Sequence, residues 1–228
     1  KFLTLIFFVT ATLITSCSSD DDATITINPP SSGGILDPEV GGFNQSNRVY
    51  VDLSTGEQTA VVRDSWEIAV YNGSQNRVYL NNALLVSAAE LEGITDITTV
   101  TESTALTAPM TLNTIDQDYN QITVTVNNVG ELMVGLPVGY TQYGDLSAGI
   151  SFTDSKEGEL TGTTFSEISN TDSNNNVYIV HLGNEIPTEN TGSLNTTGDS
   201  RGFMKVRILT DGNTYTIQYA ELTNTNDF

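Results

Sequence analysis

The chain has 228 residues, of which 28 are acidic and 8 basic, for a formal net charge of −20. A surface that grips phosphates must be basic, so this balance excludes nucleic acid as a partner. One cysteine excludes an internal disulfide, one histidine excludes a histidine-rich metal site, and 38% hydrophobic residues suffice for one core.

The chain opens with Lys1 and then runs apolar or hydroxylic from Phe2 to Ser16. That run falls short of the about 20 apolar residues needed to cross a bilayer, so 1–16 reads as a signal peptide. Its end, Ile14-Thr15-Ser16-Cys17, resembles a bacterial lipobox: an aliphatic residue, two small ones and a cysteine. That reading makes Cys17 a lipidation site and an anchor in the outer membrane, each buried CH₂ contributing ~0.8 kcal/mol. The plainer reading is an ordinary signal peptide with an incidental cysteine. Residues 17–46 read as the acylated cysteine followed by an acidic, Pro/Gly-rich linker. Asp20, Asp21 and Asp22 come almost at once, and Pro29, Pro30, Gly33, Gly34, Pro38, Gly41 and Gly42 deny the segment a helix or a central strand.

From residue 47 to 228 short alternating runs take over and predict a single all-β domain of antiparallel strands. "RVYVDLSTGEQTAVVR" predicts two strands joined at Ser54-Thr55-Gly56, and "SWEIAVYNGSQNRVYLNN" predicts a second hairpin turning at Asn72-Gly73. In the latter, Trp66, Ile68 and Val70 fall on one face with period 2, which makes the indole a core candidate. "NNALLVSAAELEG", covering 82–92, fits two patterns: helical spacing of Leu84, Leu85, Ala88 and Leu91 with Asn82 as a cap, or a strand. "QITVTV", "TTFSEIS" and "NVYIVHL" are further strand candidates. "GELMVGLPVGY" reads as a loop punctuated by Gly and Pro. The clearest hairpin is the last: "GFMKVRIL", Asp211-Gly212-Asn213, "TYTIQYAEL", with Met204, Val206 and Ile208 on one face.

No GxSxG, Walker loop, HExxH or GxGxxG is present, and no enzyme is expected. "DSNNN", from Asp172 to Asn176, lacks the Gly and terminal Glu of an EF-hand and reads as a polar turn.

Several stretches, in order, resemble the HmuY family of Bacteroidetes lipoproteins, and its flavobacterial branch most. They are "VDLSTGEQTAVVRDSWEIAVYNGSQNRVYLNNAL", "ITDITTV", "NNNVYIVHLG" and "GDSRGFMKVRILTDGNTYTIQYAEL", together spanning about Arg48 to Leu222. The acidic run after Cys17 also resembles the signal that sends such lipoproteins to the cell exterior; its plainer reading is a solvated tether. The resemblance implies an all-β fold shaped like a partly open hand. It implies capture of haem at the cell surface and transfer to a TonB-dependent outer-membrane receptor. It also implies two axial ligands, histidine or methionine. A surface protein on the same scaffold that binds a glycan or a protein partner, without haem, is the alternative.

Haem iron accepts imidazole or thioether. The candidates are Met133, in the apolar loop and expected to contribute most, Met110, which follows Pro109, and His181, with core packing as the competing role of each. Tyr140 or Tyr143 is able to stack on or cap the ring. Arg201, in the glycine-bounded "GDSRGF", is the cation expected to be freest to reach a propionate.

Overall fold

The computed structural model describes residues 32–226, apart from 72, 117, 139–142, 144–150 and 189–197. Two hairpins come first: β1 (Asn47–Val51) with β2 (Gln58–Val62), then β3 (Ile68–Val70) with β4 (Val78–Leu80). β5 (Ser87–Leu91) follows, then a long hairpin of β6 (Ala105–Ile115) and β7 (Gln121–Asn128), and α1 (Val129–Gly135). β8 (Val177–His181), β9 (Phe203–Thr210) and β10 (Tyr215–Ala220) close the chain. The central sheet is antiparallel, in the order β10-β9-β8-β5, and the other strands pair as separate two-stranded ribbons. The molecule is a single all-β domain, as its alternating runs predict.

The central sheet is covered on both faces. Ala89, Leu91, Val177 and Ile179 join Leu112 and Val126 of the β6–β7 ribbon and Leu132 of α1 in one core cluster. Ala88, Tyr178, Val180, Val206 and Ile208 join Val78, Leu80 and Phe165 in another. A strand buried on both faces needs a continuous apolar run rather than alternation. β8 shows this: all five residues of "VYIVH" are buried. Each large apolar side chain so enclosed contributes roughly 1.5–3 kcal/mol. Gly183, just past β8, has φ 77°, and a Cβ there would strike the Leu84 carbonyl, so only glycine suits the turn.

The strands of the first two hairpins and the last pair as expected, with Ile68 opposite Leu80, Val70 opposite Val78, and Ile217 opposite Ile208; Asn72 of the expected second turn lies outside the described residues. One open choice is settled and three expectations are corrected. Stretch 82–92 takes the strand alternative over β5, after a 3₁₀ turn, Asn82–Leu84, that the Asn81 side chain caps. "TTFSEIS" joins no ladder. Its amides bond elsewhere, Thr164 to Asp154 Oδ1, Ser166 to Tyr178 Oη, and Ser169 to Asn175 Oδ1. "GELMVGLPVGY" is not a loop at its start, because α1 occupies Val129–Gly135. Trp66 is not core: it is half-buried ahead of β3, and Val70 on the same face is 45% exposed.

Candidate ligand-binding cleft

The β6–β7 ribbon has one apolar face, set by its register. Met110 lies opposite Val126 and Leu112 opposite Val124, so these four side chains share a face toward the core. Leu112 and Val126 are sealed, while Met110 is only partly buried. Nearer the start of β6 the ladder is irregular between Ala105 and Met110. Pro109, which has no amide to donate, sits in that interruption. There β6 stands away from β5 and leaves a cleft of about 430 Å³.

Its walls are Leu106, Ala108 and Met110 of β6, Ala89 and Glu90 of β5, and Phe152. Glu90 does not stand free in it: one carboxylate oxygen accepts from Ser166 Oγ at 2.9 Å and the other from Asn176 Nδ2 at 2.7 Å. Thr107 donates to the Glu92 carbonyl at 2.6 Å and ties β6 to the turn after β5. Thr107, Ser151, Thr164 and Asn176 line it as well, so the cleft is more polar than most small-molecule sites, although its volume lies in their usual range.

The candidate ligands fall on different elements. Met110 alone lines this cleft. Met133 rides on α1, partly buried against the same core cluster. That helix is fixed at its start by a reciprocal cap: Asn128 Oδ1 accepts from the Glu131 amide, and Glu131 Oε2 accepts from the Asn127 amide. The Asn127 donors hold the Glu131 carboxyl below its ordinary range. His181 is 0% exposed at the end of the inner strand β8. Its Nε2 is 2.8 Å from Ser200 Oγ, and its ring packs 5.0 Å from Phe203. Burial pushes its imidazole below the ordinary value, against the opposing pull of the Leu85 backbone. A ring enclosed in this way presents no face to a ligand.

Arg201, expected to be the freest cation, is committed instead. It pairs with Glu67 Oε1 at 2.8 Å and donates to the carbonyls of Leu182, at 3.1 Å, and Asp64, at 3.3 Å. It thereby fastens the segment before β9 to the approach of β3. Lys205 is likewise no ligand cation: it is 0% exposed and donates to the Val100 carbonyl at 2.7 Å. Tyr140 and Cys17 lie outside the described residues. The cleft walls Leu106, Ala108 and Phe152 were not singled out from sequence, because Pro109 hides β6. The alternation of Leu106, Met110 and Leu112 around it is the signal that was available.

The architecture is that of an antiparallel β domain whose hairpins diverge from a doubly covered central sheet and leave open clefts at the divergence. The sequence model described as HmuY protein matches residues 44–227, and the chain belongs to that family. The family is associated with haem binding. No curated protein and no solved structure matches the chain significantly.

Proposed function

We propose that this protein captures haem at the cell surface and passes it to an outer-membrane uptake receptor, with the ring seated in the Met110 cleft. Family membership supports the ligand class. The observation that carries the site is the position of Met110, the one candidate thioether or imidazole that lines this cleft. The residues present fit one side of a porphyrin. Met110 would hold the iron through its soft thioether sulfur, and Leu106, Ala108 and Phe152 would supply apolar surface. Glu90 and Glu92 in the same walls would disfavour propionates, and a grip loosened in this way would suit a carrier that must release its cargo to a receptor.

The reading extends to location. The Ile14-Thr15-Ser16-Cys17 stretch supports acylation of Cys17 and tethering to the outer membrane, with the acidic segment facing the exterior. The anchored protein should enter the detergent phase on partition, and Cys17→Ala should move it to the aqueous phase. Retention of Cys17→Ala in the detergent phase would contradict the anchor.

Haem capture is tested by titrating the protein with oxidised and then reduced haem. A saturable shift of the Soret band at equimolar haem is expected. It should be sharper in the reduced state, because thioether is a soft ligand that favours Fe(II). No shift in either state, with the protein folded, would eliminate this function.

A further inference from the structure

A second cleft, of about 300 Å³, opens where the β1–β2 and β3–β4 hairpins face one another. It shares no lining residue with the Met110 cleft. Arg48 and Tyr50, two apart on β1, point to the same side of their hairpin. Tyr79 of β4 lies opposite Ala69 of β3, and both line the cleft with Trp66. Three aromatic rings from three separate stretches therefore converge on one opening. None is fully buried, and Tyr50 is 54% exposed. Half-open rings of this kind present a broad apolar surface at a wet boundary.

The polar groups around the rings are of both kinds. Arg48 lies over the Trp66 ring, 5.3 Å from its centroid, and has no carboxylate within ion-pair distance among the described residues. Asn82 supplies an amide, and Asp154 and Glu159 supply carboxylates. Asp154 is held rigidly, since its two oxygens accept from the amides of Leu80, at 2.7 Å, and Thr164, at 2.8 Å. Each oxygen keeps a lone pair for a further donor.

We infer that this cleft binds a neutral saccharide. A sugar ring has a face of C–H groups that lies flat on an aromatic ring, and a rim of hydroxyls that both donate and accept. The cleft offers rings for the face, donors in Arg48 and Asn82, and acceptors in Asp154 and Glu159. Two carboxylates against one guanidinium leave it net negative, which disfavours an acidic sugar or a porphyrin with two propionates. Among its lining residues no histidine or methionine occurs that could ligate iron. The inference is independent of haem capture.

Trp66 is the only tryptophan of the chain, so its emission reports on this cleft alone. Haem-free protein is titrated with maltohexaose, cellohexaose, xylohexaose, laminarihexaose and mannohexaose, and with trigalacturonate as an acidic probe. At least one neutral oligosaccharide should shift the emission saturably below about 10 mM. Tyr50→Ala and Asn82→Ala should each weaken that response about tenfold, and Met110→Leu should leave it unchanged. Thermal melts of both variants should match the parent, because Tyr50 and Asn82 are exposed. The inference is overturned by no response to any neutral probe, by a response to trigalacturonate alone, or by a response that survives Tyr50→Ala.

Discussion

β8 and the β1–β2 hairpin treat chemistry-bearing residues in opposite ways. Every residue of β8 is buried, His181 included, whereas no residue of β1 or β2 is. In the central sheet a polar side chain is enclosed and bonded inside the protein, as Lys205 is to Val100 and His181 to Ser200. At the hairpins the comparable residues remain at an opening, as Arg48 does over Trp66. The difference teaches where to look for ligands in this fold: at the margins where ribbons leave the sheet, not within the sheet.

The largest effect should come from the enclosed region. Phe165 is 0% exposed and packs against Tyr178 with ring centroids 4.2 Å apart. Phe165→Ala should lower the unfolding free energy by about 3–5 kcal/mol in urea denaturation. A loss under about 1 kcal/mol would break the contrast. Trp66→Ala, at the open margin, should cost only about 1–2 kcal/mol, part from half-buried apolar area and part from the Arg48 contact. A cost equal to that of Phe165→Ala would place Trp66 in the core after all.

A smaller effect separates the enclosed histidine from a solvated one. Burial holds the His181 imidazole below its ordinary value of 6.5, so the unfolded chain takes up the proton first. Stability is therefore full above about pH 6.5 and falls as the pH drops below it. His181 is the only histidine, and the hydrogen-bonded carboxyls Asp96 and Asp211 are held below 3.8, so they titrate lower still. The slope of stability between pH 7 and pH 5 should flatten in His181→Gln. A parent protein with no slope in that window would mean the ring is not buried.

Much of this contrast is legible in the sequence, and the exceptions have local causes. The β1–β2 and β9–β10 hairpins carry glycine at or beside their turns between alternating runs, and both registers follow from that. Three features stay hidden. β6, the longest strand at 11 residues, contains Pro109, and proline inside a run argues against a strand unless the ladder is interrupted there. α1 contains Gly130 and Gly135, which weaken a helical pattern, although the Asn128–Glu131 spacing of its capping box was present to be read. "TTFSEIS" alternates like a strand, but its Thr164, Ser166 and Ser169 amides bond to side chains, which no periodicity reveals. The Met110 cleft is hidden for the first of these reasons, although Met110 itself is legible as a candidate ligand.

The most direct test of the account is therefore a comparison of the two methionines. Reduced haem is titrated into Met110→Leu and Met133→Leu, substitutions that keep apolar volume and should change stability by less than about 1.5 kcal/mol. Met110→Leu should abolish the thioether-type spectrum and weaken binding at least about tenfold, an affinity loss of about 1.4 kcal/mol. Met133→Leu should leave both spectrum and affinity near those of the parent. Haem binding that survives Met110→Leu and fails in Met133→Leu would contradict the placement of haem in the cleft between β5 and β6.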